Sequence, residues 1–262
     1  MGKITDALKK AAQERLSRLE KLDQKPGVKY EFIAKKTADS KIDPRIVSFY
    51  DPKSPVAEQY RILRTNIQAL NTKTPLKAIT ITSSIHGEGK TITAINLAIS
   101  MAHDLSKKNI LLVDADLRRA RISKYLGFDC ELGLSDLIAN GTNIDEALIN
   151  IGIDNLTILP VGKIPHNPAE LLGSMKMKNL ITLLKSKYDY IILDTPPVIP
   201  VTDAGLVGAQ TDGVIMVVQA ERTQKGVVEH GEGLLKQAQA KLLGYILTNI
   251  QYHIPGYIYR YL

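Results

Sequence analysis

Three carboxylates and one lysine stand at the ends of three apolar, strand-like runs. Residues 77–83 lead into Ser84-Ile-His-Gly-Glu-Gly-Lys-Thr91, residues 109–113 stop at Asp114 and Asp116, and residues 188–193 stop at Asp194-Thr-Pro-Pro197. A parallel sheet would bring these strand ends to one edge. That edge would then hold a glycine-rich loop, a lysine, a hydroxyl and three acids, which is equipment for handling a nucleoside triphosphate.

Each part has a physical reason. Gly87 and Gly89 let the backbone approach phosphate oxygens closely, and the loop amides together with the start of the next helix point at the anion. The loop positions Gly87, Glu88, Gly89, Lys90 and Thr91 form the expected ATP-binding set, with Lys90 reaching the β- and γ-phosphates and the Thr91 hydroxyl binding Mg²⁺. Asp194 ends a buried strand and fits the acid that faces the loop and binds magnesium. Capping of a following helix is the other reading, and Pro196 and Pro197 argue against it. Asp114 and Asp116, spaced i, i+2, share one face of an extended strand end. Two such carboxylates repel unless a cation or a proton lies between them. Magnesium offsets that repulsion, and one of the pair is placed to accept a proton from an attacking hydroxyl. Asp114 is the first choice for that task and Asp116 the alternative. Thr91, Asp114 and Asp194 form the expected metal set, and Lys90, Asp114 and Asp116 the catalytic one. Arg118, Arg119 and Arg121 follow at once, placed either to steady phosphate or to pair with surface acids.

The elements that must position these residues are legible as an alternation. Strands are expected near 77–83, 109–114, 156–160, 188–194, 213–219 and 242–249. Helices are expected near 89–104, 133–139, 168–187, 202–209 and 224–240. This pattern predicts an α/β fold with a mostly parallel sheet and helices on both faces. A further helix is expected over residues 55–70, with Ser54 as N-cap and Pro55 at the first helical position. Residues 1–22 read as a narrow-striped amphipathic N-terminal helix, 23–52 as a linker with at most short ordered pieces, 53–249 as the main domain and 250–262 as a tail. The tail carries Tyr252, Tyr257, Tyr259 and Tyr261, four of the 11 tyrosines in the chain.

Composition narrows the function classes. The chain of 262 residues has a single cysteine, Cys130, so an intrachain disulfide is excluded, and a small, partly buried side chain is the expected role. No apolar run reaches the roughly 20 residues that span a bilayer, and the N-terminus lacks a signal-peptide pattern. Net charge is +7, and residues 1–45 supply 12 − 7 = +5 of it. Such an arm suits anionic lipid, nucleic acid or an acidic partner, or is a solvated helix face and linker.

The loop, Ile110-Leu-Leu-Val-Asp-Ala-Asp-Leu-Arg118 and Ile191-Ile-Leu-Asp-Thr-Pro-Pro197 together resemble the three nucleotide motifs of bacterial tyrosine kinases, the autokinases of capsule and exopolysaccharide synthesis. The resemblance covers residues 48–262 and includes Gly133-Leu-Ser-Asp136, Pro165-His-Asn-Pro-Ala-Glu-Leu-Leu172 and Val201-Thr-Asp-Ala204. It implies a P-loop NTPase fold that uses ATP and Mg²⁺ to phosphorylate tyrosine. Glu58, Arg61 and Arg64 match the family's Glu-x-x-Arg-x-x-Arg helix, which implies a homo-oligomeric ring in which one subunit presents its tail tyrosines to the next. It further implies a membrane chain-length-determinant protein as activator, a protein-tyrosine phosphatase as counterpart and no nucleic-acid partner. The expected location is cytoplasmic, with recruitment to the inner membrane face by the partner, because the two-pass membrane region of some members is missing here. His86 departs from the family pattern, standing where proline is frequent, and reads as a tolerated substitution. Two alternatives share the fold. One is a partitioning or septum-placement ATPase, whose signature lysine would fall where this chain has Ile85. The other is a non-catalytic assembly scaffold, against which Lys90, Thr91, Asp114, Asp116 and Asp194 all count.

Overall fold

The structure, a computed structural model, describes residues 42–71 and 75–250. The helix expected over residues 1–22, most of the linker and the four tail tyrosines lie outside the described residues.

The alternation becomes six strands, β1 (Ala78–Ser83), β2 (Ile110–Asp114), β3 (Leu156–Leu159), β4 (Tyr190–Asp194), β5 (Gly213–Gln219) and β6 (Leu242–Thr248). They form one sheet in the order β3-β2-β4-β1-β5-β6, and every pairing is parallel. Buried on both faces, the inner strands read as continuous apolar runs. Successive side chains still divide between two cores. Ile79 and Ile81, Ile110 and Leu112, and Ile192 face one core. Ala78, Leu111 and Val113, and Ile191 and Leu193 face the other.

The helices in chain order are α1 (Val47–Tyr50), α2 (Pro55–Asn71), α3 (Lys90–Ala102), α4 (Arg121–Leu126), α5 (Leu134–Asn140), α6 (Ile144–Ala147), α7 (Pro168–Leu172), α8 (Met175–Lys187), α9 (Asp203–Gly208) and α10 (Lys225–Gln237). Ser54 caps α2 as expected, accepting from the Ala57 amide at 3.2 Å. The helix expected over 168–187 is broken at Gly173 and Ser174, where the Ser174 side chain accepts from the Met177 amide at 3.2 Å and starts α8 afresh. A Gly-Ser pair is a stop followed by a start.

The first core explains why residues 42–71 belong to the packed body. Of the residues in α3, all but Ile92 are buried, so this helix is apolar nearly all round and needs cover on the side away from the sheet. Helices α1 and α2 supply it. Asn96, fully buried in α3, accepts from the Ser48 amide at 2.9 Å and donates to the Arg45 carbonyl at 3.1 Å. Ile46 has no exposed surface, and burying such a side chain contributes about 2 kcal/mol. The packed body therefore takes in residues 42–52, which the sequence reading assigned to the linker. A helix of four to six residues is too short to show a period, and α1, α4 and α6 were not expected for that reason. No helix among the described residues is long and apolar enough to cross a membrane.

Candidate active site

Strand order decides which chemistry meets. Strand β4 lies between β1 and β2, and its register sets Asp194 beside Asp114 of β2 and beside Ile81 of β1. The loop leaves β1 one turn further on and enters α3 at Lys90. Gly87 and Gly89 sit at φ +88° and +91°, a backbone region that side chains disfavour. The first amides of α3 lack intrahelical acceptors.

Lys90 Nζ reaches the acids directly, at 3.2 Å from Asp116 Oδ2 and 3.7 Å from Asp194 Oδ1. The lysine expected on phosphate thus stands between two carboxylates that expose at most 2% of their side chains. The third acid is held differently. Asp114 accepts from the Asp116 amide at 3.2 Å and from the Ile122 amide at 3.0 Å, so both its oxygens are engaged by backbone. Asp116 Oδ1 and both oxygens of Asp194 are buried with no hydrogen-bond partner. Of the two acids considered for the proton-accepting role, only Asp116 keeps an oxygen without a hydrogen-bond partner.

Asp114 and Asp194 are costly to ionise where they stand. Burial foremost, and next the charge of Asp194, push the Asp114 carboxyl up to about 8. Burial likewise raises Asp194, with the Lys90 charge pulling it back. The sign for stability follows. Between the unfolded value near 4 and about 8, the folded protein keeps a proton on Asp114 that the unfolded chain has released. In the presence of a chelator and without nucleotide, stability should fall as pH rises through that window, by about 1 kcal/mol per pH unit for one proton. Thermal unfolding at pH 5 to 8 of wild type and Asp114→Asn tests this, and equal slopes would refute it.

Glu88 is the residue whose part could not be read from the sequence. Its carboxylate is 1% exposed and does not face the hollow. It accepts from the Ile85 amide at 2.8 Å, the Gln219 amide at 3.2 Å and the Thr223 hydroxyl. The Thr248 hydroxyl donates to its carbonyl at 2.8 Å. Glu88 therefore stitches the loop to the ends of β5 and β6. Arg222 lies against the same loop, donating to the His86 carbonyl at 3.2 Å and to Gln219 Oε1 at 2.9 Å. The His86 imidazole is lowered by burial first and then by the Arg119 and Lys90 charges, which keeps it neutral at neutral pH. Burial raises the Cys130 thiol, in keeping with a packing role.

Among the arginines, Arg118 resolves to an ion pair. It grips fully buried Asp203, at the start of α9, through two bonds of 2.8 and 2.9 Å. In α2, Arg61 pairs with Glu58 and donates to the Pro52 carbonyl, while Arg64 donates to the Ser100 carbonyl of α3 at 2.6 Å.

Comparison with known proteins places this geometry. A family model described as an AAA domain matches residues 76–240. Tyrosine-protein kinase YwqD of Bacillus subtilis is 35% identical over 214 residues, covering 82% of this chain and 90% of that protein. Among solved structures, the chimerical protein CapA2B2 superposes with a TM-score of 0.73 at 36% identity, covering 79% of this chain and 91% of that one. The kinase domain of the Escherichia coli tyrosine kinase ETK does so with a TM-score of 0.73 at 27% identity, covering 79% and 82%. The strand-end motifs, the parallel sheet that gathers them and these relatives agree, and the chain belongs to the bacterial tyrosine-kinase family.

Proposed function

We propose that this protein transfers the γ-phosphoryl group of ATP to tyrosine hydroxyls, its own tail tyrosines Tyr252, Tyr257, Tyr259 and Tyr261 among them, in trans between copies, and that this reaction regulates capsule or exopolysaccharide synthesis. The observation that carries the reading is the meeting of Lys90 with Asp116 and Asp194 at the mouth of the phosphate loop. Three buried carboxylate oxygens there have no hydrogen-bond partner, which suits a cation. No cluster of three or more His, Cys, Asp or Glu groups with metal-holding geometry occurs among the described residues. Magnesium needs none, since one or two carboxylates, a hydroxyl and water suffice. Thr91 and Asp194 would hold it, with Asp114 alongside. When bound, it would neutralise charge on the phosphates.

The chain's own residues divide the work. Loop amides and the start of α3 cradle the phosphates. Lys90, freed from its acids by the incoming anion, neutralises charge on the transferring group. The tyrosine oxygen bonds to the γ-phosphorus, the bond from that phosphorus to the bridging oxygen breaks, ADP departs, and the phenolic proton passes to Asp116 Oδ1. Most of the rate comes from position and charge. Purified chain with ATP and magnesium should become phosphotyrosine-positive, with the label mapped to residues 250–262 by mass spectrometry. ATP hydrolysis without any tyrosine label, even with the membrane activator protein added, would overturn the kinase reading in favour of a partitioning-type switch.

The ring belongs to the same proposal. Arg61 lies on the surface of α2 and is satisfied there by Glu58 and Pro52, whereas Arg64 also ties α2 to α3. Arg61→Ala is therefore the cleaner probe. Light scattering should show a smaller particle than wild type, and an unchanged mass would remove this helix from the interface.

A further inference from the structure

Past the ends of β2 and β4 the two acid-bearing segments lose their strand pairing. The last backbone bond between them runs from the Ala115 amide to the Asp194 carbonyl at 2.8 Å. Residues 116–120 then close a turn of their own, in which the Arg119 and Ala120 amides donate to the Asp116 carbonyl at 3.0 and 3.1 Å. Residues 195–199 bond instead to β1 and its exit, with the Thr195, Val198 and Ile199 amides donating to the carbonyls of Ile81, Ser83 and Ser84. Among the described residues, one hydrogen-bonded link still joins residues 116–120 to residues 195–203. It is the fork of Arg118 on Asp203.

The anchor of that link is rigid. Asp203 is fully buried, and both its oxygens are taken by the one guanidinium. A buried carboxylate needs such a partner, and a two-bond fork holds in one orientation. Helix α9, which starts at Asp203, is wedged in place. A Cβ on Gly205 would meet the Ala238 Cβ at 2.8 Å, and one on Gly208 the Val214 Cγ2 at 2.7 Å. The other end is a strained turn. Ala120 stands at φ +45°, a left-handed conformation that alanine disfavours. Such a conformation persists only where its surroundings over-determine it. The same turn carries Asp116, whose carboxylate meets Lys90 at 3.2 Å.

We propose that Asp203 is a positioning residue for phosphoryl transfer. Through Arg118 it braces the strained turn against α9, and so keeps Asp116 set against Lys90 and across from Asp194. It acts through Arg118 and Asp116, not on the substrate. The proposal rests on the kinase reading for the part given to Asp116. Compensating a buried acid needs only a nearby cation. This cation stands two residues beyond Asp116, in the turn whose shape sets that carboxylate.

Three variants of the full chain separate bracing from stability: Asp203→Asn, Arg118→Gln/Asp203→Asn and Arg118→Lys. Each is measured for melting temperature, ATP affinity, and tyrosine labelling and ATP turnover at saturating ATP. Asp203→Asn should melt lower and label about 100-fold more slowly, the scale of loss that a displacement of about 1 Å brings. Its ATP affinity should be unchanged, because the loss falls on the transfer step. The neutral pair Arg118→Gln/Asp203→Asn should regain the melting temperature, since no buried charge is left unpaired, but not the rate. Arg118→Lys keeps Asp203 compensated and so folds whatever the other two do. Its ammonium cannot make the fork, and labelling should fall by about tenfold. A double variant whose rate returns with its melting temperature makes the pair structural only and overturns the proposal. So does wild-type labelling in Asp203→Asn or Arg118→Lys, or an ATP affinity that falls as far as the rate does. The kinase reading fails separately. If wild type turns over ATP without labelling tyrosine, that reading falls, and the brace is judged by the same pattern in ATP turnover, where water gives its proton to Asp116.

Discussion

Lys90→Ala should leave a folded protein whose tyrosine labelling is about 1,000-fold slower than wild type, a barrier increase of about 4 kcal/mol. Lys90 is about 10% exposed, so its charge acts where little water screens it. It is also the only cation within ion-pair distance of Asp116 and Asp194 among the described residues. Without it buried Asp194, already raised by burial, would take up a proton, and the variant should survive as a fold for that reason. Phosphotyrosine formation under saturating ATP measures the loss, and circular dichroism checks the fold. Lys90→Arg separates charge from shape. A planar guanidinium keeps the charge but does not fit a point-charge position, so it too should fall by at least about 100-fold. Labelling of Lys90→Ala within about tenfold of wild type would contradict the role given to this residue.

Glu88→Ala should be the most destabilising single change in the loop. It orphans the Ile85 and Gln219 amides and the Thr223 hydroxyl, and each buried donor left unmade costs about 1–3 kcal/mol. A total of about 3 kcal/mol would lower the melting temperature by about 10 °C in a domain of this size. The loop would also part from the ends of β5 and β6, so ATP affinity should fall even though this side chain does not face the hollow. Glu88→Gln, which keeps the shape but turns an amide against one of the donors, should lie between. Differential scanning calorimetry and nucleotide titration measure both effects. A variant that melts within about 2 °C of wild type yet loses ATP would return Glu88 to direct nucleotide contact.

Much of the fold was legible because its signals are local. Apolar runs in the strands, glycines where the backbone turns sharply into α3 and the Ser54-Pro55 start of α2 each specify a short stretch by themselves. All six strands and the longer helices follow from them, apart from the break at Gly173 and Ser174. What escaped was short or non-local. The short helices α1, α4 and α6, of four to six residues, are too short to show a period. The cover that residues 42–71 give to α3 could be suspected from a helix apolar all round, but which segment supplies it depends on contacts such as Asn96 with Ser48.

The sequence by itself determined that a phosphate loop, a lysine and three acids would meet at one sheet edge, because a parallel sheet aligns its strand ends and these residues sit at the ends. Only the tertiary structure decided how they share the work. The order β3-β2-β4-β1-β5-β6 puts Asp194 between the loop and Asp114. The turn into α4 then takes both oxygens of Asp114, leaving Asp116 and Asp194 to Lys90. The same packing ties the Glu88 carboxylate to the end of β5 and to Thr223. Residue types fix what chemistry is available, but hydrogen-bond partners are assigned by strands and turns far apart in the chain, and those partners separate a carboxylate that frames the site from one free to act.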